Sequence, residues 1–310
     1  MRCCVIGGAG FIGSWLVPRL LASGREVVVL SRRSEPPAGF AVDAQYVSGG
    51  YGDRATLRSL LATVDEVIDL AYATVPQTSF ADPVFDILAN LPATVGLLEE
   101  AAALDLRRVV IASSGGTVYG PAHHLPIREE HATNPVSPYG ITKLTAEKYA
   151  LMFHRLRNVP VSIVRPGNAY GVGQRPFTGQ GFIATAMGHA LRRDEIVVYG
   201  PTGTVRDYVH VDDVARGIVA VLERGVAGEI YNLGSEVGRN NLEVLQEIEP
   251  LAAAAGRGIK LRHAPARGFD VEANILDSSK ARRACGWVPE VDFSSGLAAM
   301  WDAIAAELTC

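Results

Sequence analysis

Cysteine is scarce in this 310-residue sequence: four occur, at Cys3, Cys4, Cys285 and Cys310. Two are adjacent and two remote, which gives neither metal-ligand spacing nor a disulfide framework, so no metal is expected and a reducing cytoplasm is the expected compartment. Long apolar runs are also missing. No stretch reaches the roughly 18 residues that cross a bilayer, which argues against a membrane partner. The N-terminus enters a Gly-rich segment without a signal peptide's apolar region, so the mature chain is expected to start at Met1. Charge of one sign is not in excess. Twenty-nine Lys and Arg against 33 Asp and Glu give a net of −4, which excludes bulk attraction to nucleic acid and leaves only local basic patches. Internal repeats, low-complexity tracts and blocks of like charge are absent as well.

What is present is a globular balance of 48% apolar and 20% charged residues, in a chain long enough for one large or two modest domains. Apolar runs at residues 3–6, 27–30, 66–71, 108–112 and 161–165 read as buried strands, with helices between them, the first over 11–22. Strands alternating with helices predict an α/β fold with a parallel sheet covered on both faces. Past Arg165 the chain is rich in Gly and Pro, at Gly171, Gly173, Pro176, Gly179 and Gly181, and a topological change is placed there. Residues 205–222 read as a strand and helix returning to the sheet. A first domain of 1–165 plus about 203–231, and a second of about 166–202 plus 232–310, are expected.

Gly7, Gly10 and Gly13 form G-x-x-G-x-x-G between the first strand and the first helix. Glycine allows a tight turn and close approach to a pyrophosphate, whose charge the helix N-terminal amides favour. After the second strand, where dinucleotide folds usually carry an acid for the ribose hydroxyls, stand Ser31, Arg32 and Arg33. A hydroxyl and guanidinium groups suit a 2′-phosphate, hence NADP, and equally suit a solvated strand end. Tyr139 and Lys143, four apart on a helix running through Ala150, share one face. An ammonium beside a phenol lowers its pKa and fits it to act as a base.

Five ordered stretches carry a resemblance: GGAGFIG from Gly7, SSGGTVYG from Ser113, PYGITK from Pro138, RPGNAYG from Arg165 and RDYVHVDD from Arg206. Together they make the chain similar, over nearly its whole length, to extended short-chain dehydrogenases/reductases of the nucleotide-sugar epimerase and dehydratase group, and most similar to UDP-galactose 4-epimerases. The resemblance implies a Rossmann doubly wound parallel sheet with a smaller α+β C-terminal substrate domain, a bound NAD, a UDP-sugar substrate and a homodimer. It implies Tyr139 as base, with Lys143 lowering its pKa and holding the nicotinamide ribose. The cofactor is expected at Gly7, Gly10, Phe11, Ile12, Gly13, Ser31, Arg32, Tyr51, Leu70, Ala71, Asn90, Ser113, Tyr139, Lys143 and Pro166. The substrate is expected at Thr117, Asn168, Tyr199 near the base, Arg206 and Arg267 on the diphosphate, Asp270 on the ribose, and Asn274 near the sugar C2 substituent. The dimer is expected to use the Tyr139 helix, through Ala146, Tyr149, Ala150 and Phe153, with a helix at about 91–104.

The pattern also departs from the family. Similar epimerases have Ser or Thr where Gly115 stands; Thr117, two residues on along an extended chain, or Ser114 is expected to supply the missing hydroxyl. Gly116 and Thr117 occupy the places of the Asp-Glu pair of 4,6-dehydratases, and Thr117 that of a decarboxylase Glu. Gly50 and Tyr51 replace an adenine-binding Asp, which puts the usual NAD preference in question. Asn274, smaller than Tyr, leaves room for an N-acetyl group. The expected activity is 4-epimerisation of a UDP-hexose or UDP-N-acetylhexosamine through a 4-keto intermediate. Its rivals are an NADPH-dependent 4-ketoreductase and a non-catalytic nucleotide-binding protein.

Overall fold

Alternate residues of the first strand, Cys3 and Val5 against Cys4 and Ile6, enter two separate apolar cores, one on each face of a central sheet. In the computed structural model, which describes residues 1–267 and 270–309, the elements begin β1 (Arg2–Ile6), α1 (Phe11–Ala22), β2 (Glu26–Ser31), β3 (Gln45–Ser48), α2 (Arg54–Leu61), β4 (Glu66–Asp69), α3 (Pro76–Ala81) and α4 (Pro83–Ala101). They continue through β5 (Arg108–Ala112), α5 (Pro138–Arg157), β6 (Val161–Pro166), β7 (Asn168–Tyr170), α6 (Phe182–Arg192), β8 (Glu195–Tyr199), β9 (Val205–His210), α7 (Val211–Arg224) and β10 (Ile230–Leu233). The chain ends in β11 (Gly238–Arg239), α8 (Asn241–Ala254), β12 (Lys260–Ala264), β13 (Ala273–Asn274), α9 (Ser279–Cys285) and α10 (Phe293–Thr309). Cys310 lies outside the described residues.

Seven parallel strands in the order β10-β6-β5-β4-β1-β2-β3 form the main sheet. The chain leaves β1 towards β2 and β3, then crosses back to β4 and builds outward the other way. That reversal beside β1 opens a crevice at the carboxyl ends of the strands, where doubly wound folds bind ligands. Helices α1, α7 and α9 cover one face, and α2, α4 and α5 the other. The result is the α/β fold with a parallel sheet expected from the apolar runs, in the Rossmann-like order that the resemblance implies.

A smaller mixed part carries β7, β9, β11 and β13 in one sheet and the β8–β12 pair in another. Its own core gathers Tyr170, Ile183, Met187, Tyr208, Leu297 and Trp301 from β7, α6, β9 and α10. Of the strand and helix expected to return to the main sheet over 205–222, only α7 packs there. β9 pairs with β7, β11 and β13, and the strand added to the main sheet is β10.

The expected dimer face on α5 is also corrected. Ala146, Ala150 and Phe153 are buried within the chain, Ala150 and Phe153 in the core shared with the sheet and α4. The apolar residues that α5 exposes are Ile141, Tyr149, Met152 and Leu156, and α4 exposes Val84, Phe85, Ile87 and Leu88.

Candidate active site

Gly7 follows β1 with φ +78°, and a Cβ there would lie 2.9 Å from the Ala71 nitrogen at the end of β4. A Cβ on Gly13 would overlap the backbone of Gly8, so α1 rests on its own entry loop at a distance only glycine allows. Helices α2, α4, α5 and α8 are capped by the side chains of Asp53, Asp82, Ser137 and Asn240. Helix α1 starts at Gly10, which offers no side-chain acceptor, and its first-turn amides, Phe11 and Ile12 among them, face the crevice end without one. An uncapped helix start behind a glycine cradle fits a dinucleotide pyrophosphate.

Around that cradle the expected cofactor residues divide. Leu70 and Ala71 stand at the end of β4, next to Gly7. Ser31 closes β2, its hydroxyl accepting from the Arg33 amide at 3.3 Å, while Arg32 and Arg33 are exposed. The Tyr51 hydroxyl is turned inward and donates to Asp69 at 2.5 Å. Burial and Asp69 together push this phenol up, and burial raises Asp69 to about 6. Asn90 accepts from the Ala73 amide at 2.7 Å and donates to the Asp86 carbonyl at 2.7 Å, so it fastens the loop after β4 to α4. The Ser113 hydroxyl donates to Glu147. Asn90 and Ser113 thus spend their polar atoms inside the protein. Pro166 ends β6, and its carbonyl accepts from the Gly115 amide at 2.9 Å.

Ser137 caps α5 by accepting from the Gly140 amide at 3.1 Å. Tyr139, Lys143 and Glu147 then follow on successive turns, all buried. Glu147 receives two bonds from Arg165, at 2.9 and 2.5 Å, and both partners are shut from solvent. Lys143 Nζ donates to the Ala112 carbonyl at 2.8 Å and lies 4.0 Å from the Tyr72 ring centroid but 5.9 Å from that of Tyr139. The Tyr72 and Tyr139 rings meet edge-on, 4.9 Å apart. Burial, then the Asp86 carboxylate, pushes the Tyr139 phenol up. The expected lowering by Lys143 is therefore not the dominant effect in the protein alone, since the ammonium is turned to Ala112 and Tyr72. Burial pulls Lys143 itself down to about 8, against Asp69, Glu147 and Asp86.

The turn after β5 departs from the extended chain assumed for Thr117. The amides of Thr117 and Val118 both point back to the Ser114 carbonyl, at 3.3 and 3.2 Å, so the same-side argument for a two-residue offset does not apply. Thr117 Oγ1 is nevertheless buried without a partner among the described residues. A Cβ on Gly115 would come 2.5 Å from Leu276 Cδ1, so Leu276 fills the space a Ser or Thr would need. A Cβ on Gly116 would face Asn168 Oδ1 at 3.0 Å and Ser114 Oγ at 4.0 Å, which puts Ser114 and Asn168 on one side of the turn. From β13, Asn274 donates to the Gly115 carbonyl at 3.0 Å, leaving its buried Oδ1 without a partner among the described residues.

The four residues expected around the nucleotide come together at the far side. The Arg267 guanidinium stacks 4.2 Å over the Tyr199 ring and makes two bonds to Asp270, at 2.8 and 3.0 Å. Arg206 donates to the carbonyls of Val205 and Val271, each at 2.8 Å, and burial pulls its pKa down. Asp270, expected on a ribose, is held by Arg267. Among the described residues no cluster of His, Cys, Asp or Glu could hold a metal ion, and no helix is long and apolar enough to cross a membrane.

Residues 3–234 match the NAD dependent epimerase/dehydratase family. The chain belongs to that family. It is 35% identical over 306 residues to a UDP-glucose 4-epimerase of Mycolicibacterium smegmatis, covering 96% of each chain. A UDP-glucose 4-epimerase of Thermotoga maritima, solved with UDP-glucose, superposes with a TM-score of 0.91 at 29% identity, over 99% of this chain and 100% of that one. The Thermus thermophilus UDP-glucose 4-epimerase complex with NAD gives a TM-score of 0.88 at 32% identity, over 98% and 99%.

Sequence reasoning missed Tyr72, Asp69, Asp86 and Glu147. For Glu147 a signal existed: it stands one further helical step beyond Tyr139 and Lys143. Asp86 sits four residues before Asn90, but only the packing of α4 on α5 brings it into the surroundings of the tyrosine.

Proposed function

We propose that this NAD-dependent epimerase/dehydratase family protein is a nucleotide-sugar 4-epimerase that inverts C4 of a UDP-hexose or UDP-N-acetylhexosamine through a 4-ketose. The observation that carries this reading is a buried Tyr139 and Lys143 beside a turn, Ser114 to Thr117, that holds no carboxylate. Removing and returning protons at C5 and C6 requires an acid–base pair there, whereas exchange at C4 needs only the phenol and its ammonium. NAD, when bound, supplies a reversible hydride acceptor. The tyrosinate of Tyr139 takes the C4 hydroxyl proton, Lys143, once turned from the Ala112 carbonyl, would hold the phenolate and the nicotinamide ribose, and the proton returns after the 4-ketose has presented its other face. Ser114 or Thr117 supplies the hydroxyl that Gly115 cannot.

Arg206 and Arg267 grip the diphosphate by charge-assisted bonds, with Tyr199 near the base and Asp270 released from Arg267 towards the ribose. A firm hold on the diphosphate and a loose one on the sugar is what rotation of a 4-ketose demands. The exposed apolar residues of α4 and α5 support a homodimer through those helices, and the free, buried thiols of Cys3, Cys4 and Cys285 suit a reducing cytoplasm.

The exposed Arg32 and Arg33 beside Ser31 favour one second reading, a 4-ketoreductase consuming NADPH. Native mass spectrometry of the purified protein, followed by incubation with a panel of UDP-sugars, separates the two. Retained NAD and interconversion without added cofactor support the epimerase; stoichiometric loss of added NADPH overturns it.

A further inference from the structure

The Lys143 ammonium is buried and is held from two sides. Its Nζ donates to the Ala112 carbonyl at the end of β5 across 2.8 Å and stands 4.0 Å from the centroid of the Tyr72 ring. Tyr72 belongs to the loop after β4 and takes no part in the proposed reaction. The backbone is pinned on each side of it: the Ala71 amide donates to Asp69 at 3.0 Å, and the Ala73 amide to Asn90 of α4 at 2.7 Å. The ring also meets that of Tyr139 edge-on, with centroids 4.9 Å apart. Tyr72 thus touches both Tyr139 and Lys143 of α5. Its hydroxyl lies near Thr142 of α5 but completes no hydrogen bond among the described residues, so the ring and not the polar end makes the contacts.

An ammonium shut from water loses its hydration, and burial pulls Lys143 down. An aromatic face offsets part of that loss, because its π electrons attract a cation most strongly where water is excluded. The carboxylates that support the charge are Asp69 of β4, Glu147 of α5 and Asp86 of α4. Each is bonded elsewhere: Glu147 to Arg165, Asp69 to the Tyr51 hydroxyl and the Ala71 amide, and Asp86 to the Thr74 hydroxyl. Tyr72 lies closer to the ammonium than Tyr139 does, at 4.0 against 5.9 Å. Because the two rings meet, an ammonium that leaves Ala112 for the Tyr139 phenol keeps its contact with Tyr72.

We propose that Tyr72 is a positioning residue whose ring face holds the Lys143 ammonium in place beside Tyr139. This rests on the reading of Lys143 as the cation that serves Tyr139. The sequence has four lysines, Lys143, Lys148, Lys260 and Lys280, so lysine labelled at Cε gives few NMR signals from the NAD-loaded protein, and Lys143→Arg identifies the one concerned. In the unaltered protein and in Tyr72→Phe, the Lys143 ε-protons are expected upfield of those of the exposed Lys148 and Lys260, displaced by the ring current; Tyr72→Leu is expected to abolish the displacement. Tyr72→Leu is also expected to lower the Lys143 titration midpoint by about one pH unit, a tenfold change in the ammonium-to-amine ratio, with Tyr72→Phe near the unaltered value. A merely loosened site admits water and moves the midpoint the other way, towards that of ordinary lysine. No upfield displacement in the unaltered protein, or a midpoint unmoved or raised by Tyr72→Leu, overturns the proposal. Both signals as expected, in a protein that fails to interconvert UDP-sugars, support the ring contact and overturn the epimerase reading alone.

Discussion

The Asn274 amide donates to the Gly115 carbonyl across 3.0 Å, so strand β13 of the smaller sheet is bonded to the turn that follows β5 of the larger one. The residue proposed to lie next to the sugar thereby also holds the turn that carries Gly115. If the space beside Asn274 admits an acetamido group, Asn274→Tyr closes it. Specificity constants for UDP-N-acetylhexosamines are expected to fall at least about tenfold more than those for plain UDP-hexoses. Equal losses on both would count against room for the acetamido group.

The Glu147–Arg165 pair is buried on both sides, and Ser113 adds a third bond to the same carboxylate. Removing one partner strands the other charge in a dry interior. Glu147→Ala is therefore expected to cost about 3–5 kcal/mol of stability, read as a lowered denaturant midpoint. A change below 1 kcal/mol would mean that water reaches Arg165.

Asp69 links stability to pH. Burial raises its folded-state value from 3.8 to about 6, so the folded protein binds the proton more tightly than the unfolded chain does. The contribution is complete below the unfolded value and is lost as pH rises through about 6. The melting temperature of the unaltered protein should fall relative to that of Asp69→Asn across that window. A flat difference from pH 4 to 7 would contradict a raised Asp69.

The cofactor rim makes a separate prediction. Ser31 closes β2 with its hydroxyl accepting from the Arg33 amide, and the residues that follow it, Arg32 and Arg33, are basic. Ser31→Asp is expected to strengthen NAD relative to NADP by about tenfold, through a ribose bond and repulsion of the 2′-phosphate. Equilibrium binding of each dinucleotide checks it, and an unchanged ratio would place the ribose elsewhere.

The residues that were readable in advance are those whose role is local. Gly7, Gly10 and Gly13 mark a turn that backbone sterics alone require, and α1 begins and ends where the apolar pattern does. Strand β3 was not readable, because it is a half-exposed edge of four residues without a buried run. The apolar pattern of β9 identified a strand, yet which sheet it joins is decided by β7, β11 and β13, remote in sequence. The same division holds in the site. Tyr139 and Lys143 announce themselves by spacing on one helix, whereas Tyr72 reaches that tyrosine from the loop after β4. The inward turn of Tyr51 towards Asp69 likewise follows from tertiary burial.

In the proposed reaction Tyr139 performs reversible proton exchange at C4 with no net redox change. Time-resolved separation of UDP-glucose and UDP-galactose, starting from either one and without added dinucleotide, tests it most directly, with Tyr139→Phe run alongside. Approach to one equilibrium mixture from both sides is expected, with a loss of at least about a hundredfold in the variant. Conversion that requires stoichiometric NADPH, or turnover unchanged in Tyr139→Phe, would contradict it.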